Sequence, residues 1–89
     1  MTLYHATSEK LAKAYHLSGS IHAPVRGFTT LMGAMAWAMK TGRKVIYRID
    51  GDPAYKLPDH HNRYGEAWWI DKNIPIESIV CEFSATSEA

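Results

Sequence analysis

Few residues of this chain have the chemistry of a nucleophile or a metal ligand. The sequence contains one cysteine, Cys81, and one adjacent pair of histidines, His60 and His61. Neighbouring side chains on a strand point to opposite faces, so the two histidines would not easily share a metal ion, and two solvated loop histidines are favoured. Cys81 lies in a predicted buried strand with no base nearby in sequence, which favours a small core residue over a nucleophile.

Motifs that would mark a cofactor or catalytic site are absent from the sequence. There is no Gly-x-Gly-x-x-Gly fingerprint, no Walker A loop, no Gly-x-Ser-x-Gly and no pair of closely spaced cysteines. We therefore expect no metal site. Any chemistry has to come from another arrangement of polar side chains.

Length and composition indicate one small domain. The chain has 89 residues, 46% of them hydrophobic, and three tryptophans, which suffices for a single core without disulfides. We expect one compact domain over residues 1–84 and a flexible tail over residues 85–89. Ten basic and nine acidic residues give a net charge of +1, so nucleic acid is not favoured as the main partner.

The expected location is the cytoplasm. A single cysteine excludes an internal disulfide and fits a reducing compartment. The first residues lack the basic and apolar regions of a signal peptide, and the longest apolar stretch, residues 31–39, is too short to cross a bilayer.

The first half of the chain predicts two strand–helix units. Residues 2–5 alternate as a short strand, and Thr7 or Ser8 caps a helix that ends at residues 18–20. We expect Leu11, Ala14, Tyr15 and Leu17 on the buried face of this helix. Residues 21–26 read as a connector and residues 27–29 as a strand. Residues 31–40 read as a helix that is capped by Thr30, ended by Thr41-Gly42 and almost surrounded by apolar contacts.

The second half of the chain is mostly strand. Residues 44–50 alternate strongly, residues 54–64 form an exposed loop with some strand, and residues 66–70 and 78–83 form the last two strands. This order lacks regular βαβ alternation. It predicts an α+β fold: a small mixed or mainly antiparallel sheet with two helices.

Four segments of the chain are informative when they are taken together. They are Tyr4-His5-Ala6-Thr7 before a helix, Gly27-Phe28-Thr29-Thr30 before an alanine-rich helix, the strand from Val45 to Asp50, and Glu66-Ala67-Trp68-Trp69-Ile70 followed by Ile74-Pro75-Ile76-Glu77-Ser78-Ile79. This combination resembles the ADP-ribosyltransferase superfamily, in particular the RNA 2′-phosphotransferases and mono-ADP-ribosyltransferases. The resemblance covers about eighty residues in the family's order. It implies an ADP-ribosyltransferase-like fold in which the last segment forms a closing hairpin.

The resemblance also implies NAD⁺ as cofactor and assigns roles to particular residues. His5 would bind the ribose, Thr7 would support its loop, and Glu66 would be the catalytic carboxylate beside an oxocarbenium-like transition state. Further cofactor contacts would come from Phe28, Thr29, Tyr47 and Tyr64. The chain departs from the family in having Ala6 where a glycine is usual. The phosphate-binding arginines of the RNA enzymes cannot be assigned, so RNA repair is not predicted.

Structural roles remain open for the same residues. His5 is equally explained as a half-buried strand histidine bonded to the backbone, and Glu66 as a carboxylate at a hairpin edge. Trp68 and Trp69 cannot both face inward on one strand, so one of them should be partly exposed and could anchor a partner.

Two functions from different classes therefore remain. The first is a small NAD-dependent mono-ADP-ribosyltransferase-like protein that modifies a macromolecular target, a protein in preference to nucleic acid. The alternative is a non-catalytic inhibitor that covers a protein partner, as small phage-encoded anti-CRISPR proteins do. An open cleft reached by His5 and Glu66 would favour the enzyme, and a filled one the inhibitor. Direct nucleic-acid binding ranks last, although basic residues are available for it: Arg43, Lys44, Arg48, Lys56 and Arg63.

Overall fold

Alternating apolar residues build one six-stranded sheet with a helix on each face. The computed structural model describes residues 1–57 and 65–84. Its elements in chain order are β1 (Thr2–Thr7), α1 (Glu9–Ser18), β2 (Ser20–Ile21), β3 (Val25–Phe28), α2 (Leu31–Thr41), β4 (Val45–Asp50), β5 (Tyr55–Lys56), β6 (Ala67–Ile70), β7 (Ile74–Pro75), a 3₁₀ turn (Ile76–Ser78) and β8 (Val80–Ser84). The strand order is β5-β6-β3-β1-β4-β8. All neighbouring strands in this described sheet are antiparallel, which confirms the predicted α+β class with two helices.

Strand β1 lies inside the sheet and divides its side chains between two cores. Its residues pair with β4 from Thr2 opposite Asp50 to Thr7 opposite Val45. Leu3 belongs to the core beneath α1 and Ala6 to the core beneath α2. We call these two faces of the sheet the α1 side and the α2 side.

Helix α1 has the predicted caps but a different buried face. Ser8 Oγ accepts a hydrogen bond from the Leu11 N–H at 3.1 Å, and Gly19 closes the helix with a φ of 88°. The buried residues are Ala12 and Tyr15. The prediction that Leu11, Ala14 and Leu17 are buried is wrong, since all three are exposed. The helix is rotated so that Ala12, which is small, approaches the sheet.

Helix α2 is also capped as predicted, by Thr30 and by Gly42 with a φ of 72°. Its small residues Gly33, Ala34 and Ala38 face the sheet, which lets the helix backbone approach closely. The prediction that apolar contacts surround this helix is wrong. Met32 and Met39 are 55% and 82% exposed, because only one side of the helix has a layer to pack against.

A second, two-stranded sheet joins segments that the sequence pattern left as connectors. Ser20 pairs with Pro75 and Ile21 with Ile74, and both isoleucines are buried beneath α1. The Ile76 N–H also donates to the Gly19 carbonyl at 3.0 Å. These contacts anchor the chain between β6 and β8 to the end of α1.

The predicted closing hairpin does not form. Strand β6 lies between β5 and β3, whereas β8 lies next to β4 at the opposite edge of the sheet. Strand β7 and the 3₁₀ turn carry the chain across the α1 side between them. The prediction that Cys81 is a core residue is wrong for the same reason, because this edge strand leaves it exposed. No helix within the described ranges is long and apolar enough to cross a membrane.

Candidate functional site

The two predicted catalytic residues lie on the same side of the sheet. His5 projects from β1 towards Tyr15 of α1, with 6.0 Å between the ring centroids. Glu66 directly precedes β6, and its carboxylate pairs with the Lys56 ammonium at 2.8 Å. Lys56 lies opposite Trp68, which packs against the α1-side core. His5 and Glu66 therefore both belong to the α1 side.

The His5 imidazole is closed off by protein groups. Its Nδ1 lies 2.8 Å from the Arg26 carbonyl oxygen, which can only accept, so Nδ1 carries a proton. Its Nε2 lies 3.4 Å from the Tyr15 hydroxyl, and the Thr7 hydroxyl donates to Tyr15 at the same distance. His5 is 6% exposed and Thr7 is fully buried. These groups form a continuous chain of hydrogen bonds from Thr7 to the backbone of β3.

Burial determines the charge of His5. Loss of solvation lowers the pKa of His5, the hydrogen bond to the Arg26 carbonyl opposes this in part, and the positive charges of Arg43 and Arg26 lower it further. The imidazole is therefore neutral near pH 7, with Nε2 as an acceptor. A neutral Nε2 suits a hydrogen bond from a ligand hydroxyl, provided that Tyr15 makes room for it.

Glu66 has a fixed backbone and an open side chain. Its N–H donates to Thr29 Oγ1 at 2.9 Å, and the Thr29 N–H donates to the Glu66 carbonyl at 2.9 Å. The hydrogen bond from Lys56 and the charge of that ammonium hold the pKa of Glu66 below its usual range, with a smaller contribution from the Trp68 indole. Glu66 is thus an exposed, ionised carboxylate and not a proton donor at neutral pH.

Strand β3 separates the two residues. The registers place Tyr4 and Ala67 level with each other on either side of Phe28, so His5 and Glu66 are offset by two residues along the strands as well as by two inter-strand spacings. Their backbones are therefore about 12 Å apart. A Cβ at Gly27 would lie 2.7 Å from Leu3 Cβ, so only glycine fits there. Leu3 fills the space above Gly27, and in the described ranges no open channel joins His5 to Glu66.

The other predicted cofactor residues lie in different places. Phe28 is on the α2 side, 1% exposed and packed on Trp37, so it faces away from His5. Thr29 is joined to Glu66 as described above. Tyr47 lies on the α1 side, with its hydroxyl 3.4 Å from His16 Nε2. Tyr64 falls outside the described residues, as do His60 and His61.

An open groove of about 560 Å³ lies between α1 and strands β4 and β8. Its lining residues are Glu9, Ala12, Lys13, His16, Leu17, Val45, Tyr47, Cys81 and Ser84. Burial is the main cause of a raised pKa of Tyr47, and electrostatic interactions with Cys81 and Tyr15 raise it further. The Tyr47 hydroxyl therefore stays protonated. Neither His5 nor Glu66 reaches this groove. No sequence pattern predicts this groove, because it depends on where β8 joins the sheet.

Comparison with known proteins gives no relative. No protein-family model, curated protein or solved structure matches the chain. A functional interpretation therefore depends on the chain's own residues and on the geometry described above.

Proposed function

We propose that this chain is a small NAD-dependent mono-ADP-ribosyltransferase-like protein with a macromolecular target. The observation that carries the proposal is the placement of His5 and Glu66 on one face of the sheet, on either side of β3. Leu3 fills the space above Gly27 between them, so it would have to move to admit NAD⁺. The resemblance of the four sequence segments supports the same function, although the closing hairpin that it implies does not form.

Glu66 fits its role without rearrangement. NAD⁺ would supply a glycosidic bond between ribose and a cationic nicotinamide, which is a good leaving group, and cleavage of that bond develops positive charge on the ribose. An ionised carboxylate at the open end of β6 stabilises such charge and can accept a hydrogen bond from a ribose hydroxyl. Lys56 keeps the carboxylate ionised. A backbone fixed to Thr29 limits the movement of Glu66.

His5 fits its role only if Tyr15 moves. The contact between Nε2 and the Tyr15 hydroxyl, at 3.4 Å, is long for a hydrogen bond, so a ribose hydroxyl that approaches more closely would make a stronger one in its place. The Nδ1 bond to Arg26 would then hold the ring in place and keep Nε2 an acceptor. Thr7 supports this arrangement through Tyr15 and does not contact the ligand itself.

The test is a titration of the protein with NAD⁺, in which binding is monitored by protein-observed NMR. We expect saturable shifts near Glu66 and Trp68 in the wild type, and weaker binding in Glu66→Gln and His5→Ala variants. Glu77→Gln is a matched control because Glu77 is also exposed but lies in the 3₁₀ turn. Equal NAD⁺ binding in wild type, Glu66→Gln and Glu77→Gln would refute the assignment of Glu66.

The second candidate is a non-catalytic inhibitor that covers a protein partner. The observation that favours it is the closed environment of His5, whose two ring nitrogens both have protein partners. The groove beside β8 and the exposed residues of that strand offer a contact surface away from Glu66. This function requires a stoichiometric complex that persists in Glu66→Gln and His5→Ala variants. Loss of the complex in those variants would exclude it.

A further inference from the structure

A row of three side chains crosses the α2 side at one end of the sheet. Tyr55 of β5 lies opposite Trp69 of β6, and Trp69 lies opposite Arg26 of β3. Trp37 of α2 reaches over the same arginine. The Arg26 guanidinium carbon is 4.7 Å from the centroid of the Trp37 ring and 5.1 Å from that of Trp69. The guanidinium is thereby held between two indoles in a defined orientation.

The positive charge of this row has no acidic partner in the described part of the chain. The ion pairs there join Arg48 to Glu82 and Lys56 to Glu66, and neither involves Arg26. Arg43 adds a second positive charge nearby and donates from Nη1 to the Ala6 carbonyl at 3.0 Å. Burial and the charge of Arg43 lower the pKa of Arg26, so the two arginines repel each other, and no carboxylate among residues 1–57 and 65–84 pairs with Arg26.

Arg26 also has a hydrogen-bond donor without a partner in the described part of the chain. Its Nε is buried and has no hydrogen-bond partner within the described residues. A fixed, unneutralised guanidinium binds an oxyanion well, because its fork of N–H donors is already oriented and loses little entropy. Next to it, Tyr55 is 53% exposed and Trp69 is partly exposed, so flat apolar rings continue the row away from the charge.

We propose that this row is a nucleotide-binding site, in which Arg26 and Arg43 hold a phosphate and the rings of Trp69 and Tyr55 stack on the base. The row spans two inter-strand spacings, about 10 Å, which is comparable with the length of one nucleotide. Guanidinium–phosphate pairing and base stacking on exposed aromatic rings are the two interactions that bind nucleotides without sequence readout. The site lies on the side of the sheet opposite His5 and Glu66, so it does not depend on the proposed NAD⁺ site.

The first measurement follows the three tryptophan indole N–H signals by NMR during titrations with AMP, adenosine and inorganic phosphate. AMP should shift the signals of Trp37 and Trp69 and leave that of Trp68, on the other side of the sheet, almost unchanged. Adenosine lacks the phosphate and should bind at least about tenfold more weakly than AMP, as expected from loss of a charge-assisted hydrogen bond. No shift of Trp37 or Trp69 at about 10 mM AMP, a concentration that detects even weak affinity, would overturn the proposal.

Variants separate the site from a general charge effect. Arg26→Met keeps an unbranched side chain between the indoles, and it should weaken AMP binding about tenfold. Arg43→Gln should also weaken AMP binding, and it serves independently if Arg26→Met fails to fold by circular dichroism. Arg48→Gln is the matched control, since Arg48 is exposed and already paired with Glu82. Equal losses in Arg43→Gln and Arg48→Gln would overturn the site.

Two further experiments show whether the ligand is a free nucleotide or a nucleic-acid strand, and whether AMP binding depends on the proposed NAD⁺ site. A short single-stranded oligoadenylate that binds much more tightly than AMP, with strong salt dependence, identifies a nucleic-acid strand as the ligand. Similar affinities identify a free nucleotide. Glu66→Gln should leave AMP binding unchanged, so failure of the NAD⁺ proposal and failure of this one are distinguishable. An equal loss of AMP binding in Glu66→Gln would place the nucleotide on the α1 side and contradict the proposal.

Discussion

The two sides of the sheet bury polar groups in different ways. On the α1 side, Thr7, Tyr15 and His5 satisfy one another and end on the Arg26 carbonyl. On the α2 side, the Arg26 guanidinium is surrounded by Trp37 and Trp69 and has no acidic partner in the described ranges. A satisfied network contributes to stability, whereas a partly buried charge without an acidic partner costs stability and leaves its donors available to a ligand. The residue with the best catalytic resemblance, His5, is therefore also important for the fold.

The largest expected effect comes from removing His5. His5→Ala removes the side-chain donor to the Arg26 carbonyl and the acceptor of the Tyr15 hydroxyl, and it opens a cavity beside α1. We expect a loss of about 2–4 kcal/mol in the free energy of unfolding, measured by urea denaturation. An exposed histidine provides the control, since His22→Ala should change stability little. A loss in His5→Ala no greater than in His22→Ala would contradict the structural role of the network.

A methyl group added at Gly27 should destabilise the packing on the α1 side of the sheet. The Gly27→Ala Cβ would meet Leu3 Cβ at 2.7 Å, and Leu3 is fully buried. We expect destabilisation of about 1–3 kcal/mol from overpacking, with partial recovery in a Gly27→Ala, Leu3→Ala double variant relative to the sum of the single variants. Additive effects in thermal or urea unfolding would show that the two positions do not pack together.

The stability of the α1 side should depend on pH below neutrality. Burial lowers the pKa of His5 from its unfolded value near 6.5. The unfolded chain therefore binds more protons than the folded chain between those two values, and stability decreases as pH falls below about 6.5. The stability difference between wild type and a His5→Gln variant should shrink over this window. A His5→Gln curve parallel to that of the wild type would contradict the lowered pKa.

The smallest stability effect is expected on the α2 side. Arg26→Met removes a charge that has no acidic partner in the described residues and retains the packing between Trp37 and Trp69. We expect a free energy of unfolding within about 0.5 kcal/mol of wild type, or slightly above it. This result, together with weakened AMP binding, would confirm that Arg26 serves binding more than folding. A loss as large as that of His5→Ala would show that the two sides do not differ.

Local features were predictable from the sequence, and long-range ones were not. Ser8, Gly19, Thr30 and Gly42 are caps because of their own conformational and hydrogen-bonding preferences, so the two helices were predicted with nearly correct ends. The alternation of residues in β4 likewise predicted which of its side chains share a face of the sheet. Strands β2 and β7 have two residues each, which is too short for any periodicity to appear.

The surroundings of the candidate residues depend on which strands become neighbours. Nothing in the sequence near His5 indicates that Tyr15 and Arg26 supply its partners, because one is on α1 and the other on β3. The pairing of Glu66 with Lys56 similarly requires β5 to lie beside β6. Leu17 was expected inside and is 89% exposed, because helical spacing alone does not say which of two adjacent faces meets the sheet.

Transfer of label from NAD⁺ is the direct test of the proposed activity. The wild-type chain, Glu66→Gln and Glu77→Gln would each be incubated with biotin-labelled NAD⁺ and a cell lysate, and labelled macromolecules would be separated and detected. We expect labelling by the wild type and by Glu77→Gln, and its loss in folded Glu66→Gln. No labelling by the wild type, or equal labelling by wild type and Glu66→Gln, would contradict an ADP-ribosyltransferase that uses Glu66.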